Sequence, residues 1–111
     1  MDKIESYQKI LTQLLEEIAA RPYANAPEIE QQILIDFQRK HFQLINIGWH
    51  RGRYIFNPLL HFDLRDGKVW VQQNDTELEI GDELAARGIA PTDIVFGFIP
   101  ENERDLVKIA A

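Results

Sequence analysis

The residues with the clearest chemical potential are His61 and Asp63, a histidine and a carboxylate separated by one residue. Trp70 and Gln72 follow them after the dipeptide Asp66-Gly67. A histidine beside a carboxylate can share a proton or begin a metal site, whereas an aromatic side chain with polar neighbours is typical of a protein-binding anchor. Which chemistry applies depends on whether the fold brings these four side chains together.

Asp66-Gly67 lies between two alternating runs and predicts a β-hairpin, because a type I′ turn requires positive φ at both central residues. With this turn, Asp63 faces Trp70 and His61 faces Gln72 across the strands. These four side chains then share one face, since side chains alternate along a strand. The opposite face is predicted to be core and carries Phe62, Leu64, Val69 and Val71.

A metal-dependent hydrolase or a small-ligand site on this face is one alternative. His61 and Asp63 begin a metal shell, but Trp70 and Gln72 are poor ligands for a metal ion. The chain has a single serine, Ser6, which falls in the first predicted helix and supplies no nucleophile beside the pair. A histidine hydrogen-bonded to a neighbouring carboxylate or amide is the more common case. We therefore predict no catalytic residue, no metal and no cofactor.

A partner-binding face is the other interpretation of the same four residues. Tryptophan dominates interface hot spots, and polar neighbours fix the orientation of a partner. Trp70 can equally be covered by a helix of its own domain, and this alternative stays open.

The length of 111 residues predicts one domain, residues 1–111, that is long enough for a core without a metal or disulfide. The chain has no cysteine, which excludes disulfides. The first residues do not resemble a secretory signal, and no apolar run reaches the roughly 20 residues of a membrane helix. A cytoplasmic location without membrane contact is the expectation.

The formal net charge of −6 opposes strong direct binding to nucleic acid, which depends on cationic groups that neutralise phosphates. Basic residues concentrate in two predicted loops. If these loops meet at one end of the sheet, they form a small positive patch. Direct DNA binding through that patch is a further alternative function. The residues concerned are Arg39, Lys40, Arg51 and Arg53.

Apolar residues at three- and four-residue steps predict an amphipathic helix over Asp2 to Ala20, with Asp2 as its N-cap. Strands are predicted over Glu30 to Gln38 and over Phe42 to Trp49, the latter with Ile45, Ile47 and Trp49 on one face. Because Leu34 and Leu44 break the alternation, a helix is expected on one side of this sheet and a second subunit on the other.

Tyr54 to Leu64 predicts a long third strand. Pro58 cannot donate a hydrogen bond to a neighbouring strand, so a bulge or an unpaired side is expected at that point. Thr76 and Glu79 have the spacing of a capping box and predict a second helix over Glu77 to Arg87, ended by Gly88. Ala90 to Asp93 predicts a turn or a single helical turn, Ile94 to Ile99 a buried segment, and Leu106 to Ala110 a short strand or frayed end.

These motifs together resemble the XisI family, whose members are described as fdxN element excision controlling factors of cyanobacteria. The resemblance is carried, in one order along nearly the whole chain, by Asp36 to Gln43, Gly48-Trp49, His61 to Gln72, Asp75 to Glu77 and Gly88 to Val95. The tail departs from the family pattern at Phe96, Ile99 and Leu106 to Ala111.

The resemblance implies an α+β protein that assists programmed, site-specific excision of a DNA element beside a companion called XisH. A mainly antiparallel four-stranded sheet is therefore expected to pack against the N-terminal helix and a shorter second helix. We predict a non-catalytic accessory protein that binds a XisH-like protein or itself. The candidate partner- or ligand-binding face is that of His61, Asp63, Trp70 and Gln72.

Overall fold

The fold combines helices with one mixed β-sheet, in a computed structural model that describes residues 2–106. The strands lie in chain order across the sheet. The α+β class is confirmed, but the predicted count of four strands is wrong, because a fifth strand pairs in parallel with β4. The elements are α1 (Lys3–Ala19), β1 (Glu30–Asp36), β2 (His41–His50), β3 (Arg53–Arg65), β4 (Lys68–Asn74), α2 (Ile80–Ala86) and β5 (Ile94–Phe96), with 3-10 helices at Pro91–Asp93 and Glu101–Leu106.

Helix α1 confirms the N-terminal prediction in extent and in its capping. The side chain of Asp2 accepts a hydrogen bond from the Glu5 amide at 2.8 Å, which satisfies one of the free N–H groups of the first turn. The buried side chains of α1 form one stripe against the sheet and are Tyr7, Leu11, Leu14 and Leu15. No helix within residues 2–106 is long and apolar enough to cross a membrane.

The core lies between α1 and the sheet, on the face predicted from the hairpin. Phe62, Leu64, Val69 and Val71 are all buried in one cluster with the stripe of α1. In β2, the core side chains are Phe42 and Leu44. The predicted face of Ile45, Ile47 and Trp49 is therefore the opposite face of the sheet.

The Asp66-Gly67 turn has positive φ at both residues, 55° and 74°, as the type I′ prediction requires. The predicted register holds from Arg65–Lys68 to Phe62–Val71. It then shifts by one residue, so His61 pairs with Gln73 and not with the predicted Gln72. This irregularity places one extra residue in β4, as a β-bulge does.

A second irregularity lies beside Pro58, as predicted. Leu44 pairs with Leu60 and Ile45 with Pro58, which leaves Leu59 as the extra residue in β3. Leu59 and Leu60 are both buried in the core cluster. The bulge thus lets a strand that contains a proline stay in the interior of the sheet.

Helix α2 is shorter than predicted, and the expected capping box does not form. The Thr76 hydroxyl accepts from the Leu78 amide at 3.2 Å and itself donates to Asn74 Oδ1 at 2.5 Å. These local bonds hold residues 74–78 in a turn and delay the start of the helix to Ile80. Its C-terminal prediction is confirmed, since Gly88 has φ 112° directly after the C-cap Arg87.

Of the segment predicted to be buried, Ile94 and Phe96 are buried, whereas Phe98 is 54% exposed. Residues 94–96 form the parallel strand β5. Residues 91–93 form the predicted helical turn. A 3-10 helix occupies residues 101–106. The rest of the segment predicted as a short strand or frayed end, residues 107–110, lies outside the described residues.

Tyr7 connects α1 to the segment before β5. Its hydroxyl donates to Asp93 Oδ2 at 2.6 Å and accepts from the Ala90 amide at 3.3 Å, and Lys3 Nζ lies 3.0 Å from the same carboxylate oxygen. We expect Tyr7→Phe to lower the free energy of unfolding by about 1–2 kcal/mol, because it removes the hydroxyl but keeps the buried ring.

Chemical denaturation measures this effect, and Tyr54→Phe is the matched control, since Tyr54 is 55% exposed. Equal stability of the Tyr7→Phe variant and the wild type would show that the hydroxyl does not stabilise this junction.

Candidate functional site on the open face of the sheet

The sheet face away from α1, here called the open face, carries a polar cluster across β2, β3 and β4. Strand pairing places His41 directly opposite Asp63 and Gln43 directly opposite His61. Gln72 reaches the same group from β4, with its Nε2 3.3 Å from Asp63 Oδ2. The polar cluster is therefore His41, Gln43, His61, Asp63 and Gln72.

Asp63 is the centre of the polar cluster. Its Oδ1 atom is 2.7 Å from His41 Nδ1 and 2.8 Å from His61 Nε2. The residue is only 8% exposed. Burial raises the pKa of Asp63, but the hydrogen bonds from His41 and His61 outweigh burial, and the pKa lies below its usual value. Asp63 is therefore ionised near neutral pH.

An ionised carboxylate can only accept hydrogen bonds, so both histidine nitrogens that face Asp63 donate to it. With its Nε2 donating, neutral His61 accepts from Gln43 Nε2 at 3.0 Å through Nδ1. The second carboxylate oxygen of Asp63 accepts from Gln72, and the Arg65 guanidinium lies 3.8 Å from it. Each oxygen of the carboxylate thus has its own set of partners.

Trp70 lies beside the polar cluster and is partly buried. The guanidinium groups of Arg65 and Arg104 lie 5.0 and 5.4 Å from its ring centroid. Gly97 passes so close that a Cβ there would contact Gln72 and lie 3.4 Å from Trp70 Cε3. Trp70 is therefore covered in part by arginines and by the segment after β5, while its buried Nε1 makes no hydrogen bond within residues 2–106.

The four predicted residues do come together, with Asp63 as their common neighbour. The prediction missed His41 and Gln43. The predicted second strand begins at Phe42 and leaves out His41, yet His41 is the first residue of β2 and pairs with Asp63. Side-chain alternation along a strand, which grouped His61 with Asp63, could also have identified Gln43. It would have required pairing β2 with the first strand of the hairpin.

Large apolar side chains are exposed on the open face beside the polar cluster and at its other end, and they are here called the apolar patch. Its members are four large side chains that are each about half exposed or more: Leu34 at 47%, Trp49 at 63%, Tyr54 at 55% and Phe56 at 64%. The Trp49 and Tyr54 rings, on paired residues of β2 and β3, have centroids 5.2 Å apart. Leu34 pairs with Gln43, so the apolar patch and the polar cluster adjoin. Several large apolar side chains exposed on one sheet face are typical of interaction sites.

The two basic loops do not meet. Arg39 and Lys40 lie in the turn before β2, whereas Arg51 and Arg53 lie at the opposite end of that strand. A strand of this length separates its ends by about 30 Å. The single positive patch proposed from the sequence is therefore wrong.

A groove of about 540 Å³ lies on the helix side of the sheet, between α1 and the turn before α2. Arg87 in this groove forms an ion pair with Glu17 at 2.6 Å. Gln31 Oε1 and Arg87 Nε are buried there without a hydrogen-bond partner among the described residues. The groove is lined in part by Asp75 and Thr76, and it lies on the other side of the sheet from the polar cluster.

A sequence model of the XisI protein family matches residues 1–111. This chain belongs to the XisI family. Among solved structures, this XisI family member is similar to a XisI-like protein from Anabaena variabilis ATCC 29413, with a TM-score of 0.85, 32% identity and 96% of each chain covered. It is also similar to the fdxN element excision controlling factor XisI of the same organism, with a TM-score of 0.79, 25% identity and 98% of each chain covered. No curated protein matches this sequence.

The comparison with the Anabaena structures confirms that the resemblance extends over the whole XisI fold. Coverage of at least 96% in both directions leaves no large insertion in this chain or in those two. The name of the second structure describes a controlling factor, and it carries no statement about a catalysed reaction.

Proposed function

We propose that this XisI family member is a non-catalytic accessory factor in the site-specific excision of a DNA element, and that it acts by binding a XisH-like protein through the open face. The name of the second structural relative supports the process. Binding through the open face is inferred from the exposure of the apolar patch, which consists of Leu34, Trp49, Tyr54 and Phe56.

The apolar patch fits a protein partner better than DNA. Exposed aromatic side chains gain free energy when another protein removes them from water, and tryptophan and tyrosine are enriched at interface centres. The chain is acidic, and its basic turns stand at opposite ends of β2. A phosphate backbone would therefore meet few cations on the open face.

The polar cluster fixes the orientation in which a partner protein binds to the open face. Asp63, Gln72 and His41 border the apolar patch through Gln43 and supply hydrogen-bonding groups at fixed positions. No serine or threonine joins this cluster among residues 2–106, and Ser6 lies in α1 on the other side of the sheet. The arrangement supports recognition rather than nucleophilic catalysis.

Binding to a purified XisH-like protein tests the proposal. We expect one complex on a sizing column, and we expect Trp49→Ala or Phe56→Ala to weaken it at least tenfold, because truncation of a hot-spot aromatic costs about 2 kcal/mol or more. Isothermal titration calorimetry measures the change in Kd.

Phe37→Ala is the matched control. Phe37 is 56% exposed, but it lies in the β1–β2 turn, where its carbonyl accepts from Gln8 of α1. It should leave the Kd unchanged. Two separate species from the wild-type proteins, or equal affinity of all variants, would contradict the proposal.

A further inference from the structure

His41, His61 and Asp63 have the donor set of a transition-metal site. One ligand atom from each residue, a ring nitrogen of either histidine and a carboxylate oxygen of Asp63, lies within 4.8 Å of the other two. The nitrogens that face Asp63 are Nδ1 of His41 and Nε2 of His61. Two imidazoles and one carboxylate suit Zn²⁺ and its neighbours in the first transition row, while hard cations such as Mg²⁺ prefer oxygen ligands. From this geometry we propose that the polar cluster binds one Zn²⁺ ion.

The spacing of the three atoms is close to what zinc requires. Zinc bonds to nitrogen and oxygen are about 2.0–2.2 Å, so the ligands of a tetrahedral site are about 3.4 Å apart. The two histidine nitrogens now lie 2.7 and 2.8 Å from Asp63 Oδ1. Small side-chain rotations open these contacts enough to admit the ion between them, and water takes the fourth position.

The backbone fixes the three ligands before a metal ion arrives. His41 and Asp63 are a directly paired couple of β2 and β3, and His61 is two residues from Asp63 on the same strand. Ligands on adjacent strands hold their positions better than ligands on loops. A bound ion would cross-link β2 and β3 at the centre of the open face.

The surrounding side chains hold the ligands in the required orientation. Gln72 contacts Oδ2 of Asp63, and Arg65 lies farther from the same atom. The other carboxylate oxygen, Oδ1, therefore faces the two histidines. Gln43 contacts Nδ1 of His61, the nitrogen that does not face Asp63. When Nε2 binds a metal ion, the proton moves to Nδ1, and rotation of the Gln43 amide presents its oxygen to that N–H group.

Calorimetric titration of untagged, metal-free protein with Zn²⁺ tests the proposal. We expect one ion per chain, no binding of Mg²⁺, and a loss of affinity of at least tenfold in His41→Ala and in His61→Ala. Gln43→Ala should weaken zinc binding by about 10–100-fold, as removal of a group that orients a metal ligand does. Co²⁺ should give the visible absorption of a tetrahedral site.

His50→Ala is the matched control, because His50 pairs with Glu28 at the far end of β2. Its zinc affinity should equal that of the wild type. His41 has a side chain that is 51% exposed, so His41→Ala should fold normally and keeps the test decisive if His61→Ala does not fold. No zinc binding by the wild type, or binding that both histidine variants retain, overturns the proposal.

Discussion

Replacement of Phe62 with alanine is expected to lower the free energy of unfolding by about 3–5 kcal/mol. Phe62 is fully buried in β3, between Phe42 of β2 and Val71 of β4. Truncation removes apolar area from the core and leaves a cavity that three paired strands cannot close. Urea denaturation followed by circular dichroism measures the loss.

Phe56→Ala is the matched control for this prediction, since it makes the same change on the same strand. Phe56 is 64% exposed on the open face, so its truncation should change stability by no more than about 0.5 kcal/mol. A loss comparable to that of Phe62→Ala would mean that the open face is packed in the isolated protein. It would then not be available to a partner.

Replacement of Asp63 with asparagine is expected to lower the free energy of unfolding near pH 7 by about 1–3 kcal/mol, because the substitution removes a charged acceptor from two histidines. The pKa of Asp63 is lowered in the folded state by the hydrogen bonds from His41 and His61, in spite of the opposing effect of burial. The folded protein therefore favours the ionised carboxylate.

The sign of the pH dependence follows from this lowered pKa. The stabilisation is fully present above the pKa of an unfolded aspartate, about 3.9, and is lost as the pH falls through the lower folded value. The stability difference between the wild type and Asp63→Asn should therefore shrink below about pH 4. Denaturation curves of both proteins from pH 7 to pH 3 measure it, and a constant difference over that range would refute the assigned role of Asp63.

The sequence predicted best those features that depend on local chemistry. The periodicity of α1 and its Asp2 cap act within one helix, and the Asp66-Gly67 turn fixes its own φ angles. From that turn, the register of four residue pairs followed without knowledge of the remaining fold. The buried face of the hairpin followed from the same alternation.

The features that were missed depend on parts of the chain that meet only in the folded protein. β5 has just three residues, and its strand geometry comes from pairing with β4. The bulge that pairs His61 with Gln73 is not marked by a proline or glycine at that point. His41 was missed because its neighbours resemble a turn, although its partner is Asp63 on β3.

The order of strands also determines how much chain entropy each step of folding costs. β1 to β4 pair only with their neighbours along the chain, and the last two of these hairpins close through the short turns Arg51-Gly52 and Asp66-Gly67. Short loops lose little entropy on closure, so these two hairpins close at a small entropic cost. β5 joins across residues 75–93, and its addition is the one strand-pairing step among residues 2–106 that must close a long loop.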